Sequence, residues 1–334
     1  MTQQPPMPRR QPPYNAPQHK QRDLWQWYKR QKRVAKLGLG CGALIGVLFL
    51  CMGSSLAYRS TVLPTRTVPG SQVIATTATP TAISAATPAR RSKPTPVLTT
   101  GIWKPAVHMS WQWQLTTPVD QSINVALYDI DGFDNDASVV ASLHAKGRKV
   151  VCYIDAGTYE NWRSDANQIP SSVRGNGVQG WAGEQWLDFR KLNVVGPIMQ
   201  ARLDMCKTKG FDGVELDNVD GYTNNTGFLL TANDQLTYNT WLAHEAHLRG
   251  MSAGLKNDLD QVPQSLPYFD WALDEQCFQY AECDQLTPFI RAGKAVFEVE
   301  YSLNASQFCP QANALNFNSL LKNLALDAPR TACR

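Results

Sequence analysis

The chain has 334 residues and a formal net charge of +4, a balance that taken whole would admit a nucleic-acid partner. The total hides two opposite regions: residues 1–100 hold 14 Lys/Arg and a single acid, Asp23, for +13, while residues 101–334 hold 18 Lys/Arg against 27 Asp/Glu, for −9. An acidic globular part argues against nucleic acid or any other polyanion as its partner and favours a neutral or cationic one.

Residues 1–36 are basic, polar and proline-containing, and they read as a disordered cytoplasmic segment. Leu37 to Tyr58 carries no charge over 22 residues, long enough as a helix to span a bilayer core of ~30 Å. Lys29, Arg30, Lys32, Arg33 and Lys36 stand just before it, so the positive-inside rule puts the N-terminus in the cytoplasm and everything after Tyr58 outside. The competing reading is a cleaved signal peptide, with Ser55-Leu56-Ala57 as a small-residue cleavage site and a secreted product. The long basic leader and the long apolar run favour a retained signal-anchor. Residues 59–100 are rich in Thr, Pro, Ala and Ser and nearly free of aromatics; such a stretch buries no core and reads as an extended linker.

From Gly101 onward tryptophans and short apolar runs take over. Eight strands are predicted: Met109–Leu115, Val125–Asp129, Val150–Asp155, Trp186–Phe189, Gly213–Asp217, Ser252–Leu255, Trp271–Asp274 and Ala295–Tyr301. Helical patterns over Ala137–Lys146, Pro197–Lys209 and Asp234–Arg249 run into Gly147, Gly210 and Gly250, the residue type that ends helices in the left-handed conformation. Strands alternating with helices imply a parallel sheet, and eight units within residues 101–334 fit a (β/α)8 TIM barrel. An open doubly wound sheet is the alternative, although no G-x-G-x-x-G follows a strand.

Cys41 and Cys51 fall in the apolar segment, which leaves Cys152, Cys206, Cys277, Cys283, Cys309 and Cys333 in the globular part. An even number outside the cytoplasm suggests three disulfides among 15 possible connectivities. Pairing Cys277 with Cys283 and Cys309 with Cys333 closes two short loops and leaves Cys152 for Cys206. No C-x-x-C spacing supports a zinc site.

Acids gather where the predicted strands end: Asp129 and Asp131, Asp155, Asp188, Asp217 and Asp220, Asp258, Asp274 and Glu275, Glu298 and Glu300, with Lys256 among them. One such Asp is an ordinary helix N-cap. Nearly every strand ending this way points to the mouth of a barrel, where the C-terminal strand ends converge. Trp103, Trp111, Trp113, Tyr128, Tyr153, Trp162, Trp181, Trp186, Tyr222 and Tyr301 accompany them; about half of these belong to the core, since aromatics are usually well buried. Flat aromatics with carboxylates suit sugar rings, and glycoside hydrolysis needs two carboxyls. His244-Glu245-Ala246-His247 is one residue short of the zinc-binding H-E-x-x-H, so its histidines read as packing residues. No G-x-S-x-G offers a serine nucleophile. No metal or other cofactor is called for.

The runs YDIDGFD (128–134), GRKVVCYIDAGTYENWRSD (147–165), GWAGEQWLDFR (180–190), GFDGVELDNVDGY (210–222), GLKND (254–258), DEQCFQYAEC (274–283) and GKAVFEVEY (293–301) together resemble glycoside hydrolase family 114, the endo-α-1,4-polygalactosaminidases. The resemblance spans nearly all of residues 101–305. It implies a (β/α)8 barrel that cleaves α-1,4-linked galactosamine polymers. It places the catalytic carboxyls on Asp217 of DGVELDN and Glu275 of DEQC, with retention, Asp217 as nucleophile and Glu275 as acid/base. It implies sugar contacts from Asp129, Asp131, Tyr153, Asp155, Asp188, Asp220, Tyr222, Lys256 and Glu300. Galactosamine without its acetyl group is cationic near neutral pH, which suits an acidic cleft. The expectation is a monomer whose partners are this polysaccharide and, through residues 37–58, the membrane. The rival readings are a non-catalytic glycan-binding module and a hydrolase of another α-linked cell-wall glycan.

Overall fold

The computed structural model describes residues 100–334, with Thr95 ahead of them. The basic leader, the apolar segment 37–58 and most of the linker lie outside the described residues. No helix among the described residues is long and apolar enough to cross a membrane.

In chain order the strands are β1 (Trp111–Gln114), β2 (Leu127–Asp131), β3 (Lys149–Asp155), β4 (Thr158–Glu160), β5 (Arg174–Gly177) and β6 (Glu184–Leu187). They continue with β7 (Gly213–Asp217), β8 (Ser252–Lys256), β9 (Trp271–Glu275), β10 (Val296–Glu300), β11 (Asn318–Lys322) and β12 (Arg330–Ala332). The helices are α1 (Ala137–Ala145), α2 (Leu192–Lys209), α3 (Ala232–Leu248), α4 (Val262–Ser265), α5 (Cys277–Tyr280), α6 (Thr287–Arg291) and α7 (Ala305–Ala314).

Nine strands form one sheet in the order β1-β2-β3-β7-β8-β9-β10-β11-β12. The first eight run parallel and β12 is antiparallel to β11. The order never reverses, which a doubly wound sheet would require. The two edges are drawn together: the Trp111 indole N–H donates to the Asn318 carbonyl at 2.9 Å, the Gln112 side-chain amide to the Ala328 carbonyl at 2.8 Å, and the Leu115 N–H to the Leu326 carbonyl at 3.0 Å. The result is a nearly closed α/β barrel.

One predicted strand belongs elsewhere. Trp186–Phe189 falls on β6, which lies in a separate three-stranded antiparallel sheet, β4-β6-β5, inserted between β3 and α2. The eighth parallel strand is β11, absent from the sequence reading. Alternating burial looks alike in either sheet, so periodicity identifies a strand but not its partner. The segment Asn318–Lys322 opens on two polar residues that are nevertheless buried, which hides it from a hydrophobicity argument.

Alternation along the strands sorts side chains into two cores. Ile130, Val150, Cys152, Ile154, Val214, Leu216, Ala253, Leu255 and Val296 face the surrounding helices. Trp111, Trp113, Val151, Trp271, Leu273, Phe297 and Val299 fill the barrel interior. The interior is so full that Gly254 is obligatory: a Cβ there would sit 2.4 Å from the Trp271 ring. Helix α2 ends on Gly210 at φ 92°, the left-handed cap expected of it.

Three disulfides join Cys152 to Cys206, Cys277 to Cys283 and Cys309 to Cys333, as the sequence suggests. The first ties β3 to α2 across 54 residues. Replacing both cysteines with alanine is expected to lower unfolding free energy by about 4 kcal/mol, from the loop-closure entropy of a ring that size; urea denaturation reads this directly. His247 of the H-E-x-H run packs against Asp270 at 2.8 Å, a partner within the fold.

Candidate active site

The parity that sorts apolar side chains also sorts the acids. Asp129 and Asp131 share a face of β2 with Leu127, Tyr153 and Asp155 share one of β3 with Val151, and Glu215 and Asp217 alternate with Val214 and Leu216 on β7. Lys256 alternates with Leu255, and Glu275 follows Trp271 and Leu273 on β9. All of these point into the barrel at its C-terminal end. Glu298 and Glu300 share a face with the helix-facing Val296, so they point outward.

The inward set converges on the Lys256 ammonium. It lies 2.7 Å from Asp217 Oδ1, 3.0 Å from Glu275 Oε2 and 3.4 Å from Glu215 Oε1. It also sits 5.0 Å from the centre of the Trp113 ring, which floors the site. Because Asp217 and Glu275 bind the same nitrogen, the two oxygens are separated by no more than the combined lengths, about 5.7 Å. Tyr153 donates its hydroxyl to Asp217 Oδ2 at 2.8 Å, and the Asn218 N–H donates to Asp217 Oδ1 at 2.8 Å. The Tyr301 hydroxyl donates a short hydrogen bond to Glu275 Oε1. Of the three carboxylates around the ammonium, Glu215 is sealed at 0 % side-chain exposure, Asp217 is at 17 % and Glu275 at 26 %. Asp217 and Glu275 are therefore the two that can meet a ligand.

The residues following the mouth groups hold them in place. Asn218, Asn257 and Gln276, immediately after Asp217, Lys256 and Glu275, have φ of 59°, 50° and 64°. Non-glycine residues rarely adopt this left-handed conformation, and it clusters at functional sites. Asn218 donates its side-chain amide to Asp155 Oδ2 at 2.6 Å, and Asn257 Oδ1 accepts the Glu275 N–H at 3.1 Å. Each strand thus turns sharply just past its mouth residue, and the turn residue braces a neighbouring strand.

Burial would raise the Asp217 carboxyl, but Lys256, Tyr153 and the Asn218 N–H outweigh it and hold the group below the ordinary aspartate value. Beneath it, burial and the nearby Asp129 push Glu215 well up. Burial likewise pushes Asp129 to about 7. Lys256, despite burial, is held well above the usual lysine value by Asp217, Glu275 and Glu215. The centre is an Asp217 carboxylate stabilised by a fixed cation, above two buried acids, Glu215 and Asp129, that hold their protons more tightly than ordinary carboxyls. Lys256→Met is expected to reduce kcat/KM by about 10²–10³-fold, the scale for losing one preorganised donor. With the cation gone the Asp217 pKa rises, so the acid limb of the rate profile moves to higher pH; a pH–rate profile checks both.

The other residues expected from sequence take varied places. Asp155 is buried, and its oxygens accept from the Gly157 N–H, the Thr158 N–H and hydroxyl, and Asn218; it fixes the β3–β4 turn. Asp131 accepts from the Phe133 and Asp134 N–H groups and pairs with Arg163 at 2.8 Å. Asp188, just after β6 in the insertion, pairs with Arg190 at 2.7 Å. Glu300 accepts the Phe278 and Gln279 N–H groups at 2.9 and 3.0 Å, capping α5 from the outer face of the barrel. Tyr222 hydrogen-bonds Asp258, whose carboxyl burial and Asp220 together push to about 9. Glu215 and Asn218 were not singled out in the sequence, and Tyr301 only as one aromatic among ten. Counting back two residues from Asp217 along β7 finds Glu215, and counting two on from Val299, one residue past the end of β10, finds Tyr301. Among the described residues no group of His, Cys, Asp or Glu has the arrangement of a metal site.

Residues 92–334 match the model of glycoside-hydrolase family GH114. The chain belongs to this family. It is 43 % identical to Ega3 of Aspergillus fumigatus, solved as a complex with galactosamine, over 69 % of this chain and 97 % of that one, with a TM-score of 0.67. The glycoside hydrolase domain of PelA from Pseudomonas aeruginosa is similar in fold, with a TM-score of 0.53 at 12 % identity, over 67 % of this chain and 97 % of that one. No curated protein matches the sequence. GH114 membership makes the chain a glycoside hydrolase, and its inward-facing carboxylates stand at the end of the barrel where such enzymes bind substrate.

Proposed function

We propose that the chain is a membrane-tethered, extracytoplasmic endo-hydrolase of α-1,4-linked galactosamine polymers that works with retention of configuration. The observation that carries this reading is the shared contact of Asp217 and Glu275 with Lys256, which brings their oxygens within about 5.7 Å. Retaining enzymes separate their carboxyls by about 5–5.5 Å and inverting enzymes by about 6.5–9.5 Å. In the first step protonated Glu275 gives its proton to the glycosidic oxygen while Asp217 attacks the anomeric carbon, forming a glycosyl ester and releasing the leaving chain. In the second step the Glu275 carboxylate takes a proton from water, the water oxygen attacks the same carbon, and Asp217 departs as carboxylate. Lys256 and Tyr153 keep Asp217 anionic and oriented. Both carboxyls come from one chain, so a monomer suffices, and the chemistry asks for no metal or cofactor.

The galactosamine bound to Ega3 and the −9 charge of residues 101–334 support a substrate bearing free amines. The tether rests on residues 37–58 and the basic run before them. Incubating the protein with partially deacetylated galactosaminogalactan should release reducing ends; none at high enzyme loading would refute the activity. Protease treatment of intact cells is expected to release the catalytic domain, and a domain already free in the medium would instead support the cleaved signal peptide.

A further inference from the structure

The insertion between β3 and α2 meets the mouth acids through Thr158, which donates to Asp155, and Arg163, which pairs with Asp131. Its own barrel-facing side is identifiable by strand parity. Thr158 pairs with Trp186 and Glu160 with Glu184 across β4 and β6. Thr158 donates to Asp155, and the Trp186 ring lies 3.4 Å from where a Cβ on Gly221 would be, beside Tyr222. Glu160 and Glu184 lie two residues from Thr158 and Trp186 and so share that side. The insertion is stitched onto the catalytic strand, because the Ala156 and Gly157 N–H groups both donate to the Asp217 carbonyl, at 3.0 and 3.1 Å.

The two glutamates differ in one respect. Glu160 is satisfied by Arg163 at 2.7 Å, and Arg163 is further occupied by Asp131 at 2.8 Å. Glu184 is 8 % exposed, and among the described residues its carboxyl makes no salt bridge and no side-chain hydrogen bond, with Arg163 acting on it only at longer range. A carboxyl buried this far is normally paired. Just beyond it the insertion exposes two large aromatics, Trp162 at 51 % and Trp181 at 52 %. Their backbone segments are held together, since the Asn161 N–H donates to the Gly183 carbonyl at 3.1 Å and the Glu184 N–H to the Trp181 carbonyl at 3.2 Å. An acid without a salt bridge, on the same hairpin as two open indoles, suits a sugar ring bearing a cation.

We infer that the β4-β6-β5 insertion is a sugar-binding subsite away from the cleavage point, in which Trp162 and Trp181 stack on a galactosaminyl ring and Glu184 receives its ammonium group. The inference deepens the proposed substrate class and rests on it. It gives the polymer a second hold, so that long deacetylated chains are favoured over short or acetylated ones. Burial first, and then Asp155, Glu160 and Asp217, push the Glu184 carboxyl up to about 9, while Arg163 lowers it. The free protein therefore carries a proton there at neutral pH, and the incoming ammonium displaces it into the buffer.

Calorimetry tests this on the full chain in an Asp217→Asn background, which holds substrate without turning it over. The probes are an α-1,4-galactosamine hexamer and its fully N-acetylated counterpart. Adding Glu184→Gln should weaken binding of the amine hexamer about tenfold, abolish the proton release seen as a buffer-dependent enthalpy, and leave the acetylated hexamer unchanged. Adding Trp181→Ala should weaken both hexamers, and Trp181→Phe should restore most of the loss; the ring is surface-exposed, so matching urea midpoints will exclude misfolding. Equal affinity with and without Glu184→Gln overturns the inference, as does failure of the background protein to bind either hexamer. Absence of reducing ends from the wild type, with Glu184-dependent binding intact, overturns the hydrolase activity and leaves the subsite standing.

Discussion

Asp217→Asn is expected to lower kcat by about ten-thousand-fold or more while the protein stays folded, the scale set by losing a covalent nucleophile. The amide is isosteric: with its oxygen in the Oδ1 position it still accepts the Asn218 N–H, while its NH2 in the Oδ2 position donates to the Tyr153 hydroxyl, reversing that bond. It loses the charge that Lys256 stabilises and cannot form a glycosyl ester. KM should change little by comparison, because the substitution removes a bond made only along the reaction path. Turnover at more than a few per cent of wild type would show that another carboxyl, with Asp220 the nearest in sequence, is the nucleophile.

Glu275→Gln should cost about 10²–10⁴-fold in kcat, the range for a general acid–base group. Its signature is dependence on the leaving group. A natural galactosaminyl leaving group needs the proton and should suffer the full loss. A dinitrophenyl glycoside leaves unaided, so its first step should proceed near the wild-type rate and a burst of phenolate should appear as the second step stalls. The Tyr301 hydroxyl and Lys256, which bind the two Glu275 oxygens, are positioned to hold the carboxyl for both steps. Equal losses for both leaving groups would argue against an acid/base role.

Seven of the eight barrel strands and all three disulfides were legible in the sequence, because strands ending in Asp or Glu and helices ending in Gly leave local marks. What was missed required knowing which strand pairs with which. Trp186–Phe189 has the pattern of a strand yet sits in the insertion, and Asn318–Lys322 closes the barrel with polar residues at its start. The two mouth carboxylates that reach Lys256, Asp217 and Glu275, stood out in the sequence through motifs. Their neighbours were legible only through parity: Glu300 looks like a mouth acid by position but lies on the helix-facing side, where it caps α5. Glu184 carries no mark in the sequence, because the strand pattern over Trp186–Phe189 begins after it and does not tell a barrel strand from one in the insertion. Its setting depends on the pairing with Glu160 and on Arg163 being occupied elsewhere.

A double displacement on Asp217 and Glu275 leaves a stereochemical signature in its product. Proton NMR of the reducing ends formed in the first minutes of hydrolysis, before mutarotation, tests it most directly. Attack by Asp217 followed by water on the same carbon predicts that the α-anomer appears first and relaxes toward the equilibrium mixture. A β-anomer appearing first would contradict the account, since water would then have displaced the leaving group in a single step and Asp217 would be a base rather than a nucleophile.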